Sequence, residues 1–119
     1  MSQISNPKQY DLEERCFNFA QRVREYVKKL PRTISNIEYG KQLIKASGSV
    51  GANYIEANES LSKKDFKFRV KISKKEVKES RYWLRLTESS KEQAEEQEAL
   101  IQEATELMKI FGSIIENTK

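Results

Sequence analysis

Lys63 to Leu86 reads KKDFKFRVKISKKEVKESRYWLRL, with apolar or small residues at Phe66, Val70, Ser73, Val77, Ser80 and Leu84, each three or four positions from the last. That period belongs to an α-helix with one buried face. Ser62, with Asp65 three residues on, has the form of an N-cap, so the pattern predicts a helix over 63–88.

The same period extends in both directions. Leu12, Cys16, Phe19, Val23, Val27 and Leu30 form the stripe of a first helix over 11–29, with Asp11 and Glu14 as a capping box. A second helix over 36–60 follows Ser35 and Glu38 and carries two adjacent stripes. One is Leu43, Ala46, Val50, Ala57 and Leu61; the other is Ile37, Gly40, Ile44, Gly48, Gly51 and Ile55. More than one side of this helix should therefore be covered. Gly48 and Gly51 cost about 1 kcal/mol each in a helix interior relative to alanine, which close approach of another backbone would explain. A fourth helix over 92–117 shows Leu100, Ala104, Leu107 or Met108, Phe111 and Ile114 or Ile115, with Glu92, Glu95, Glu96 and Glu98 near its positive end.

Four amphipathic helices with short connections predict an all-α, antiparallel up-down-up-down four-helix bundle, a single domain over 1–119. Phe68, Tyr82 and Trp83 lie off the core stripe of the third helix. Together with the doubly apolar second helix they exceed what one bundle buries, so a homo-oligomer is expected.

Charge is unevenly spread. Lys63 to Arg85 holds ten basic and three acidic residues, whereas residues 91–119 hold three basic and seven acidic ones. Lys64, Lys67, Lys71, Lys74, Lys78, Arg81 and Arg85 alternate in steps of three and four, so they lie along one helical face. At about 1.5 Å per residue that ridge is roughly 32 Å long, comparable to one turn of a nucleic-acid duplex. Like charges at this spacing cost a few tenths of a kcal/mol per pair, a penalty that neighbouring carboxylates or a ligand must offset. Two readings follow: the acidic fourth helix neutralises the ridge, or the ridge holds a polyanion.

Catalysis finds little support. The chain has no histidine and one cysteine, Cys16, which falls on a core stripe, so no nucleophile and base pair can be assigned and no catalytic residue is expected. SGSVGANY, 47–54, lacks the spacing of a phosphate-binding loop. Glu76 with Glu79 and Glu56 with Glu59 have the spacing of carboxylates in di-iron bundles, but the histidine of that motif is missing. The expectation is no metal and no cofactor, with Asn53, Glu56, Arg69, Glu76 and Glu79 in a polar network that draws on Arg22 or Lys45. A lone cysteine, no apolar run of signal-peptide length in MSQISNPKQYDLEERC and no stretch of about 18 apolar residues point to the cytoplasm and away from a membrane.

The run LIKASGSVGANYIEANESLSKKDFKFRVKISKKEVKESRYWLRL, Leu43 to Leu86, together with LPRTISNIEYGKQ before it, resembles the bacterial four-helix-bundle proteins called 23S rRNA intervening-sequence proteins. The resemblance implies a homopentameric ring, and a relation to accessory proteins of diversity-generating retroelements that bind nucleic acid and a reverse transcriptase. It implies no enzymatic activity. By position, Asn53 and Glu56 match the family's N-x-x-E, Lys63, Lys64 and Asp65 its third-helix start, and Tyr82, Trp83 and Leu84 its aromatic cluster. Ile44 and Lys45 stand where one branch has paired arginines, and Ala57 replaces a frequent glycine. The expected function is therefore non-enzymatic binding of structured RNA or another nucleic acid through the ridge. The alternative is a protein-interaction scaffold with a protein partner and no direct nucleic-acid role.

Overall fold

The structure is a computed structural model that describes the backbone of residues 7–119 and the side chains from Leu12 onward. Four long helices follow one another: α1 (Pro7–Lys28), α2 (Ile34–Asn58), α3 (Lys63–Leu86) and α4 (Ala94–Asn117), the last entered through a 3-10 turn at Lys91–Gln93. No strand occurs among the described residues, and the predicted four-helix bundle is the fold found. Its extents are 44 × 27 × 18 Å, the length being set by helices of 22 to 25 residues. α3 packs against both α2 and α4, while α1 lies mainly on α2 and touches α4 more sparsely.

Capping chemistry fixes the helix starts. Ser62 Oγ accepts from Asp65 N at 3.1 Å, as the sequence predicts. Helix α2 begins two residues earlier than expected, because Thr33 accepts from Asn36 N at 3.1 Å, so Ser35 is already inside the helix. Helix α1 starts at Pro7, whose missing amide hydrogen costs nothing in a first turn; the Asp11 side chain lies outside the described residues.

The core contains the predicted stripes of α1, α3 and α4 almost entirely: Cys16, Phe19, Val23, Val70, Val77, Leu84, Leu100, Leu107 and Phe111 are all buried. In α2 the first stripe is buried except for Leu61, whereas Ile44, Gly48 and Ile55 of the second stripe, expected to be covered, are exposed. Leu61 follows the end of that helix and is 100% exposed, because α2 closes at Asn58 and the chain turns before Ser62. Ser73 replaces an apolar residue in the stripe without leaving an orphan, since its hydroxyl donates to Val50 O of α2 at 2.9 Å.

At the end of the bundle where the α1–α2 and α3–α4 connections meet, side chains take over the work of backbone pairing. Asn36 Nδ2 donates to Pro31 O at 2.9 Å and Glu88 O at 3.0 Å, and its Oδ1 accepts from Glu88 N at 2.9 Å. Thr87 gives its single hydroxyl proton to Leu84 O, so Tyr26 must donate the 2.7 Å hydrogen bond that joins it to Thr87. Gln93 Nε2 donates to Tyr26 O at 2.8 Å, and Gln97 Nε2 to Leu84 O and Thr87 O.

Candidate nucleic-acid interface

The seven cations of α3 begin at its first turn, where the Ser62 cap sets the rotation of the helix, and Val70, Val77 and Leu84 pin the neighbouring side in the core. The ridge divides into two lines. Lys64, Lys71, Lys78 and Arg85 are exposed, whereas Lys67, Lys74 and Arg81 are half-buried. Lys74 leans across α4, with its Nζ 3.7 Å from where a β-carbon on Gly112 would stand. Its stem thus covers apolar surface while its charge stays at the edge.

None of these seven side chains forms an ion pair among the described residues. Three acidic side chains of α4, Glu96, Glu103 and Glu106, pair instead with α1. Arg15 holds Glu103 through two contacts, Nε to Oε2 at 3.1 Å and Nη2 to Oε1 at 2.6 Å, and reaches Glu106 at 3.2 Å. Arg22 pairs with Glu96 at 3.1 Å. These contacts raise the Arg15 pKa above its ordinary value, the hydrogen bond to Glu103 being the largest cause. Of the two readings of the ridge, neutralisation by α4 has no ion pair to support it among the described residues: α4 packs beside α3, but Glu96, Glu103 and Glu106 pair with α1.

The expected polar network is smaller than the sequence implies. Arg69 Nη1 donates to Asn53 Oδ1 at 3.3 Å, which links α3 to α2. Glu56 and Glu79 are exposed, Glu76 is half-buried, and none of the three forms an ion pair among the described residues; Arg22 is engaged by Glu96. Burial, with nearby Glu79 second, pushes the Glu76 pKa above the usual carboxylate value. Glu56, Asp65 and Arg69 line a shallow surface pocket with Phe68 and Leu61. Among the described residues, no three acidic or cysteine side chains gather closely enough to hold a metal ion. Cys16 is fully buried, and burial pushes its thiol up to about 12, which keeps it protonated at neutral pH as a packed core side chain.

Several residues outside the predicted ridge complete the surface. Lys75 is exposed, and Phe68 and Tyr82 are 59% and 56% exposed. Trp83, by contrast, is half-buried and stacks on Tyr39 of α2, with ring centroids 5.9 Å apart, while Tyr82 meets its edge at 5.0 Å. Lys78, Glu79, Arg81, Tyr82, Trp83 and Arg85, with Met108 of α4, line an open surface pocket of about 470 Å³. Arg81 Nε is buried with no hydrogen-bond partner among the described residues.

A separate apolar groove runs between α1 and α2. Phe17, Ala20, Ile44, Ser47 and Gly48 line one part of it, and Val27, Ile37 and Gly40 another. α1 itself covers Gly40 and Gly51, but none of the described residues comes within 4 Å of a β-carbon built on Gly48. Among the described residues, no helix is long and apolar enough to cross a membrane.

A family model described as 23S rRNA-intervening sequence protein matches residues 8–113. Among solved structures the chain is similar to a protein of unknown function from the S23 ribosomal protein family of Bacteroides thetaiotaomicron VPI-5482. The TM-score is 0.75 and the identity 29%, over 89% of this chain and 99% of that one. No curated protein matches the chain.

Proposed function

As the chain belongs to the 23S rRNA-intervening sequence protein family, we propose that it is a non-enzymatic, cytoplasmic protein that binds structured RNA or another nucleic acid through α3. One observation carries the proposal: the seven cations Lys64 to Arg85 share a face and have no carboxylate partner among the described residues, although acidic α4 lies next to them. Phosphate groups would offset the mutual repulsion of that row, and each contact would release counterion from the polyanion. Lysines on one helical face read charge and spacing, so the recognition is of shape more than of base sequence.

Self-association multiplies the ridge. Phe17, Ile44 and Ile55 are exposed, and Gly48 leaves room for close approach, so a second copy seated on the α1–α2 face would bury the apolar surface that one bundle leaves open. The family resemblance favours a homopentamer. Repeated around a ring, weak single contacts become strong through effective concentration.

Replacing Lys71 and Lys78 together by glutamate tests the nucleic-acid proposal. Both side chains are exposed and clear of the core. The variant should keep its helical content and mass and lose RNA binding; unchanged binding by the intact variant would sink the proposal. Loss of assembly in its place would favour a scaffold in which the ridge meets another protein chain.

A further inference from the structure

The exposed residues of α3 do not form an all-basic row. Phe68, Lys71, Lys75, Lys78, Tyr82 and Arg85 succeed one another in steps of three and four, and all six are exposed. Two aromatic rings therefore stand on the same face as four cations, separated by 14 residues or roughly 21 Å along the helix. Neither ring is needed for the core, which Phe66, Val70, Val77 and Leu84 already serve.

We infer that Tyr82, with Phe68 further along the same line, is a stacking platform for unpaired bases, so the ligand of this face is a single-stranded or looped stretch of nucleic acid. The inference rests on the nucleic-acid reading of the ridge and narrows it. A base inside a duplex is already stacked on both sides and presents only its edge, whereas an unpaired base offers a whole face to an aromatic ring. Tyr82 is placed for that contact: its ring is braced edge-on by Trp83, which Tyr39 holds in turn. Lys78 and Arg85, one turn to either side, are positioned to take the flanking phosphates.

The adjoining pocket is open to the surface and is lined by Glu79 as well as by Lys78, Arg81 and Arg85. The Arg81 guanidinium within it has no carboxylate partner among the described residues. A second copy of the chain is a poorer occupant of this face, because lysines interrupt the rings and leave no continuous apolar patch to bury. The continuous apolar groove of Phe17, Ile44 and Gly48 lies elsewhere.

The test compares an unstructured oligoribonucleotide with the duplex it forms with its complement, using the wild type, Tyr82→Leu and Tyr82→Phe at one salt concentration. The wild type should bind the single strand more tightly. Tyr82→Leu should weaken that binding roughly 10-fold, with a smaller effect on the duplex, while Tyr82→Phe, which keeps the ring, should bind as the wild type does. The inference is overturned if the duplex is preferred, if Tyr82→Leu leaves single-strand binding unchanged, or if Tyr82→Leu lowers the oligomeric mass. Failure of the wild type to bind either nucleic acid would instead remove the reading on which the inference rests.

Discussion

A β-carbon added to Gly51 of α2 would stand 3.1 Å from the Cys16 β-carbon of α1 and 3.8 Å from the Cys16 carbonyl carbon. The two backbones meet there, and the glycine is the condition of that contact. Gly51→Leu should lower stability by about 2–3 kcal/mol, because four extra carbons have no room on a face closed by main chain. Thermal or urea unfolding measures it, and a loss of only a few tenths would show that the helices part easily.

Gly48, three residues earlier, faces open space, so leucine there should leave the bundle folded. If a second copy of the chain seats itself on this face, Gly48→Leu should reduce the mass seen by light scattering toward the 13.9 kDa of one chain while the helical content stays as it was. A wild-type mass already equal to one chain would refute assembly through the groove.

Asn36 ties the two connections at one end of the bundle with three hydrogen bonds while 3% exposed. Asn36→Ala would leave the amide of Glu88 and two carbonyls without a side-chain partner, at a cost of about 2 kcal/mol. Amide hydrogen exchange at Glu88 should accelerate in the variant; unchanged protection would mean that water replaces the side chain without penalty.

Glu76 sets a pH dependence. Burial and the neighbouring Glu79 raise its pKa in the folded chain, against the smaller opposing influence of Lys75 and Lys45. The folded state therefore holds the proton more tightly than the unfolded chain does. That contribution is fully present below the unfolded value of 4.5 and is lost as pH rises through the folded value. Glu76→Gln should accordingly raise the melting temperature at pH 7, an advantage that disappears near pH 4. Equal gains at both pH values would assign the effect to packing.

Periodicity made the bundle legible. The stripe from Phe66 to Leu84 and the Ser62 cap identify α3 in the sequence, because burial and hydrogen bonding there depend on residues close in the chain. Thr33 was harder to find, since the segment Thr33-Ile-Ser-Asn offers two hydroxyls two residues apart and only Thr33 reaches Asn36 N. Leu61 continues the α2 spacing but lies beyond its last turn. The second stripe of α2 was visible, but its division into Gly40 and Gly51, closed by α1, and Gly48, left open, depends on where α1 crosses. The ridge was legible as a helical face. Its lack of acidic partners among the described residues was not, because the rotation of α4 decides whether Glu96, Glu103 and Glu106 meet α3 or α1. Phe68, Lys75 and Tyr82 were likewise absent from the predicted site. Their exposure beside Lys71 and Lys78 follows from their place opposite the buried Val70, Val77 and Leu84 stripe.

The most direct measurement is the salt dependence of RNA affinity for the wild type and for Lys78→Gln. If α3 neutralises phosphates, the affinity should fall linearly on logarithmic axes as salt increases, and removing one contacting lysine should reduce the slope by about one unit with assembly intact. A wild-type affinity indifferent to salt, or an unchanged slope in Lys78→Gln, would contradict the assignment of the ridge as the nucleic-acid interface.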